Sequence, residues 1–173
     1  MRDHVSLYLD RARRAARAQT LGAATDVEPV LAALGRTIMR INKDRGISIE
    51  VVVTPGLKFR GEVQDLEEMA GNLIDNAAKW SKQAVKISAA PIIDPIDGTQ
   101  NWLMITVDDD GPGLPAGKRA EAVKRGKRLD ETKPGSGLGL SIVTETASMY
   151  SGNLILGDAE LGGLRVQLRL PAV

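Results

Sequence analysis

Cysteine is missing altogether, histidine occurs once, and aromatic residues make up only 3% of the 173 positions. Without cysteine there are no disulfides and no thiolate metal sites, a composition suited to a reducing cytoplasm, which is the expected location. So few rings leave no stacking platform for nucleic-acid bases. A net charge of +1 gives no global attraction to nucleic acid or to an anionic membrane, so neither contact is expected. No apolar run is long enough to span a bilayer, and the N-terminus carries no signal-peptide pattern. Internal repeats and low-complexity tracts are absent too. What the chain does have is 43% hydrophobic residues, enough at this length for one well-packed domain.

Hydrophobic spacing predicts the elements. Residues 3–19 read as a helix with Val5, Tyr8, Ala12, Ala15 and Gln19 along a packing seam. Arg11, Arg13, Arg14 and Arg17 lie on its opposite, solvated side. A linker around Gly22 precedes a second helix over 27–44, with Val30, Leu31, Leu34, Ile38 and Ile41 on its apolar face and Gly46 as its stop. Strands are expected at 47–53, 84–89, 102–108, 154–156 and 164–170, with a short one at 58–60. Residues 91–100 turn one hairpin, and Gly162-Gly163 turns the last. Residues 114–134 are polar, basic and poor in large apolar side chains, and read as a mobile lid. The mixture predicts an α/β fold: a two-layer α/β sandwich, one layer a mostly antiparallel sheet and the other helices.

Residues 68–80, EMAGNLIDNAAKW, place polar side chains on a helix that should be buried. At about 100° per residue, Glu68, Asn72, Asn76 and Lys79 fall within an arc of roughly 80°. Leu66, Met69, Leu73, Ala77 and Trp80 occupy the other side and read as core. Amide oxygens and carboxylates are hard ligands suited to Mg²⁺, and a lysine can neutralise phosphate. Taken alone, the stripe also fits a solvated helix face. Two glycine-rich segments follow. In ITVDDDGPG (105–113) an alternating strand ends in acid and glycine. A carboxylate there can accept from the exocyclic amine of a purine, while glycines let a flat ring approach. An ordinary Asp/Gly/Pro turn would look similar. GSGLGL (135–140) opens a second helical pattern, where free N–H groups and the helix dipole favour an anion.

In this order and spacing, the chain resembles the catalytic, ATP-binding domain of bacterial sensor histidine kinases. These belong to the GHKL, or Bergerat-fold, group with gyrase, the Hsp90 chaperones and the mismatch-repair ATPases. NLIDNAAKW (72–80) is similar to the N box, DDGPG (109–113) to the first glycine box and GSGLGL to the second. The resemblance runs from about Val27 to the C-terminus, and RGKRLD (125–130) is most like the magnesium-sensing PhoQ type.

The resemblance implies that Asn76, with Asn72 as second partner, holds the Mg²⁺ that bridges the ATP phosphates. It places Lys79 near those phosphates, and Trp80 where the kinases usually have tyrosine beside the nucleotide. Asp109 would read the adenine amine, with Gly111, Gly113 and Leu114 close to the base. Gly135, Gly137, Leu138 and Gly139 would form the phosphate loop. Arg125 and Arg128 would stabilise charge on the transferred phosphoryl group. In the gyrase and chaperone branch a water-activating glutamate stands where this chain has Asn72, whose amide is no base. That substitution favours transfer over hydrolysis. Glu68 matches an acidic or amide position that would assist proton transfer; a solvated or structural role fits it as well. Ala122 and Val123 replace the usual phenylalanine box, which changes how the lid docks.

The phosphoacceptor histidine is not visible, because His4 is followed by VSLY rather than an acid and Thr-Pro or Ser-Pro. Residues 1–20 resemble the tail of the second dimerisation helix, and 21–173 the catalytic domain. The chain is therefore expected to be a piece of a longer kinase of the bacterial inner membrane. Its partners would be ATP, the histidine-bearing dimerisation domain and a response regulator. Two other readings share the motifs. An anti-sigma-type serine kinase or stand-alone ATPase would show rapid ATP turnover. A non-catalytic docking module would yield no acid-labile phosphate with a histidine domain.

Overall fold

Apolar residues from five strands align in rows across a single sheet, and these rows set the fold. The computed structural model describes residues 2–93, 98, 100–122 and 139–173, without the side chains of 2–4, 7 and 18–21. In chain order the elements are α1 (Arg2–Leu21), β1 (Thr25–Asp26), α2 (Val27–Ile41), a 3-10 turn (Lys43–Arg45), β2 (Ser48–Val53) and β3 (Lys58–Phe59). Then come α3 (Val63–Trp80), β4 (Ala84–Ile92), β5 (Trp102–Asp109), α4 (Ala116–Ala122), α5 (Gly139–Met149), β6 (Asn153–Asp158) and β7 (Leu164–Pro171). The large sheet has the order β2-β4-β5-β7-β6, with β2 and β4 parallel and the other neighbours antiparallel. β1 and β3 pair separately.

One row reads Val51, Ile87, Val107, Val166, Leu156 across the five strands; the next reads Val53, Ala89, Ile105, Leu168, Leu154. This face is covered by α2, α3 and α5, which bury Leu31 and Ile38, then Leu66, Met69, Leu73 and Ile74, then Val143 and Ala147. Each large side chain buried this way contributes about 1.5–3 kcal/mol. The other face carries Glu50 opposite Lys86, and Thr106 opposite Gln167, as a half-solvated sheet should. The expected two-layer sandwich is therefore borne out, with helices on one side of a mostly antiparallel sheet.

Several details differ from the sequence expectation. Ile41 lies on the correct helix face but is 72% exposed, because it is the last residue of α2. β4 continues through Pro91 to Ile92; β2 has already ended opposite Ala89, so the missing N–H of Pro91 costs no ladder bond on that side. Residues 116–122 of the expected lid are helical and bury Ala122, since Arg119 donates to the Leu114 carbonyl and pairs with Asp158.

In α1 only part of the expected seam packs: Ala15 is buried, while Val5 and Tyr8 are 58% and 45% exposed. The arginine side is not simply solvated. Arg11 Nε donates to Glu68 Oε1 at 2.8 Å, and Arg14 donates to Asp65 Oδ1 at 2.7 Å. Asp65 is fully buried, and a buried carboxylate demands such partners. Its second oxygen accepts from the Tyr150 hydroxyl, whose ring meets Phe59 edge-on at 5.0 Å between centroids.

Candidate active site

α3 does two jobs with one amphipathic pattern. Leu66, Met69, Leu73 and Ala77 are buried as expected, and Trp80 at the end is half-buried. Glu68, Asn72, Asn76 and Lys79 share the opposite stripe and are all half-exposed. Asn72 Nδ2 donates to the Glu68 carbonyl at 2.9 Å, which leaves its amide oxygen free of that bond. A Cβ built on Gly139, at the start of α5, would lie 3.7 Å from that oxygen. The N-box helix and the entrance of α5 are thus in contact at Asn72. The Asn76 side chain makes no hydrogen bond to any described residue. Lys79 Nζ is 3.2 Å from Asp75 Oδ2, an (i, i+4) pair on the solvent side. Glu68 is held by Arg11.

The other end of α3 meets the loop after β5. A Cβ on Gly111 would come within 2.2 Å of the Trp80 carbonyl, so only glycine permits this approach. Asp109, the last residue of β5, is 3% exposed, and its Oδ1 accepts from Gly111 N at 2.9 Å and Leu164 N at 3.2 Å. Burial is the main cause that pushes its carboxyl above the usual range, with the two N–H donors opposing it. No described residue bonds Oδ2. Gly113 has φ +74° and lies against Gly163. Leu114 is half-buried beside it.

The stretches therefore converge along one helix: Asn72 beside Gly139, and Trp80 beside Gly111 and Asp109. About 12 Å of helix axis separates the two points of approach. Arg125, Arg128, Gly135, Gly137 and Leu138 lie outside the described residues, as do Val123 and the side chains of His4 and Gln19.

The family described as histidine kinase-, DNA gyrase B- and HSP90-like ATPase matches residues 61–173. The chain belongs to this family. Sensor protein PhoQ of Escherichia coli (strain K12) is 36% identical over 142 residues, 82% of this chain and 28% of that protein. The solved structure of the mycobacterial sensor histidine kinase MprB superposes with a TM-score of 0.70 at 31% identity, covering 87% of this chain and 97% of that one. Full-length ShkA in complex with AMPPNP gives a TM-score of 0.74 over 99% of this chain and 36% of that one; at 24% identity it speaks for the fold alone. The expected likeness to the PhoQ type of sensor kinase is borne out, and the domain is a histidine-kinase-type ATP-binding domain. The chain spans less than a third of the length of the curated relatives it matches. Among the described residues no helix is long and apolar enough to cross a membrane.

Sequence reasoning missed three residues that contact the candidate site or the helix end that carries it. Gly163 was read only as a turn, yet a Cβ there would sit 2.0 Å from Asp109 Oδ1, and its N–H donates to the Asp109 carbonyl. Asp75 holds Lys79; its position one turn before the lysine was the available signal. Arg45 donates to Ala78 O and Ser81 O at the end of α3, and no pattern in the sequence points to that long-range contact.

Proposed function

We propose that this domain binds Mg·ATP and passes the γ-phosphoryl group to a histidine on the dimerisation domain of its parent sensor kinase, for relay to an aspartate on a response regulator. One observation supports the reading: the polar stripe of α3 meets Gly139 at Asn72, and the C-terminal end of the same helix meets the loop after Asp109 at the Trp80 carbonyl. A nucleotide laid along that helix would have its base at Asp109 and its phosphates at the start of α5. With Oδ1 anchored by two N–H groups, Asp109 keeps Oδ2 for the adenine amine. Gly111 and Gly113 keep the base side open, and Leu114 offers it an apolar contact.

The donor set fits Mg²⁺. Asn76 and Asn72 present neutral amide oxygens, and the described residues contain no cluster of three His, Cys, Asp or Glu that would cage a metal. A cation shared between these amides and the phosphates satisfies Mg²⁺ better than a cage of protein ligands. When bound, Mg²⁺ supplies neutralisation of phosphate charge. Lys79 would exchange Asp75 for a phosphate, a swap that costs little because the pair is exposed. Asn72 withholds the water-activating base, so the attacking histidine nitrogen, rather than water, forms the bond to phosphorus as ADP leaves. Glu68 would assist proton transfer once Arg11 releases it. Arg125, Arg128, Gly135, Gly137, Leu138 and Gly139 complete the phosphate side. Residues 1–20 act as the end of a dimerisation helix, and the parent lies in the bacterial inner membrane with this domain in the cytoplasm. The likeness to the sensor kinases PhoQ and MprB supports the sensor-kinase reading.

Titration with a non-hydrolysable ATP analogue, with and without Mg²⁺, tests the site. Asn76→Ala should remove mainly the metal-dependent part of the affinity, and Asp109→Ala should erode the preference for adenine over guanine. Acid-labile phosphate on a supplied histidine domain tests the transfer. Unaltered binding in both variants would sink the assignment of these positions.

A further inference from the structure

We propose that Asp110 and Arg45 are positioning residues for base recognition. Acting through backbone groups, they lock the corner after α3 against the loop after β5 and fix the Gly111 N–H that orients the Asp109 carboxylate. The proposal rests on the nucleotide reading above. It extends that reading to two side chains to which the expected motifs give no role, Asp110 within the first glycine box and Arg45 outside every motif.

The Arg45 guanidinium reaches back from the 3-10 turn and donates to Ala78 O at 2.7 Å, Ser81 O at 2.8 Å and Lys79 O at 3.4 Å. These are carbonyls at and just past the C-terminal end of α3, which have no backbone partner within the helix, although Ala78 O also accepts from Ser81 Oγ at 2.9 Å. Asp110 closes the same corner from the other side. Its carboxylate accepts from Lys82 N at 2.7 Å and from Gln83 N at 3.1 Å, while its own N–H donates to Ala84 O. Between the two clamps the Trp80 carbonyl presses on Gly111, where even a Cβ would approach to 2.2 Å. Gly111 N in turn donates to Asp109 Oδ1 at 2.9 Å. The line of contact runs from Arg45 through the end of α3 and Gly111 to Asp109. Neither Arg45 nor Asp110 is hydrogen-bonded to Asp109 itself. Loss of either clamp lets Gly111 drift from the carboxylate, and Oδ2 then loses its fixed aim.

The experiment measures ATP and GTP affinities of the whole chain by calorimetry, alongside melting curves, for Asp110→Ala, Asp110→Asn and Arg45→Met. Asp110→Ala should lower the ATP-over-GTP preference about tenfold, the scale of one well-made hydrogen bond. Asp110→Asn keeps a side-chain carbonyl for Lys82 and Gln83 and should stay within about threefold of the unaltered protein, with Arg45→Met falling between. A corner that is merely structural would lower the melting temperature and weaken both nucleotides alike. An unchanged preference in Asp110→Ala and Arg45→Met therefore overturns the proposal. Should Asp110→Ala fail to fold, Asp110→Glu keeps the charge but displaces the acceptors, and an unchanged preference there overturns it equally. If the unaltered chain binds no ATP, the function reading itself has failed, and the brace falls with it.

Discussion

Replacing Tyr150 by phenylalanine deletes one oxygen and keeps the ring, so its effect can be worked from few terms. The hydroxyl donates to a carboxylate, Asp65, that is fully buried. A hydrogen bond to a charged group contributes about 1.5–3 kcal/mol. The hydroxyl also accepts from Glu62 N, but at 3.3 Å that bond adds little. The edge contact with Phe59 survives, so the ring keeps its packing and only the volume of one oxygen is lost. Asp65 keeps Arg14, so its charge is not stranded. The expected loss is about 2 kcal/mol, or roughly 4–8 °C in melting temperature for a chain of this length. Urea unfolding followed by far-UV circular dichroism measures it, with an unaltered slope marking a change in stability alone. Alkaline titration gives an independent check. Burial first, and then the bond to Asp65, push the Tyr150 hydroxyl above its ordinary value of 10.0. A raised value means that its contribution is complete below about pH 10 and is lost as pH climbs toward the folded-state value. The phenylalanine variant should lack that alkaline loss. A stability change under about 0.5 kcal/mol would refute the charge-assisted bond as a stabilising contact.

Three further outcomes follow from the same geometry. Gly163→Ala puts a methyl group 2.0 Å from Asp109 Oδ1, which should cost about 1–3 kcal/mol and weaken ATP binding in calorimetry. A variant of native stability and affinity would contradict that crowding. Arg11→Ala removes an ion pair whose acid is 31% exposed, so denaturant titration should find a loss within about 1 kcal/mol that shrinks further at high salt. As pH falls through the raised Asp109 value, the carboxyl takes up a proton and ATP affinity should drop, whereas Asp109→Asn should bind with a flat acid profile. The stability term has the opposite sign: it is complete below the ordinary value of 3.8 and is lost as pH rises through the raised one.

How much of this was legible in the sequence depends on the range of the interaction. The alternation of Val51 and Val53, of Ile87 and Ala89, and of Ile105 and Val107 fixes which face of each strand is buried, and these residues do form the core rows. The split of α3 into apolar and polar stripes is equally local: Leu66, Met69, Leu73 and Ala77 are buried, while Trp80, expected with them, is only half-buried at the helix end. What escaped are contacts between segments far apart in the chain. Arg14 and Tyr150 meet at Asp65 from positions 51 and 85 residues away. Helical spacing alone places the α1 arginines on a solvated side and cannot show that a buried acid waits on another helix. Ile41 shows the reverse error, a correct face that runs past the layer it should cover.

The three consecutive aspartates at the end of β5 make the same point at atomic scale. By sequence they are alike. Strand alternation sends Asp108 to the outer face, where Arg165 grips both of its oxygens at 2.9 and 2.8 Å. Asp109 turns inward and is buried, and that burial raises its carboxyl. Asp110 leaves the strand; burial pushes its carboxyl up, but the backbone hydrogen bonds around Ala84, Gln83 and Lys82 together prevail and hold it below the usual range. Two of the three are spent on architecture, one on an arginine and one on a turn. Only Asp109 keeps an oxygen that no described residue engages, in a setting where burial works against its charge. A donor arriving at Oδ2 would relieve that penalty, which is why an incoming amine should be held there rather than at either neighbour.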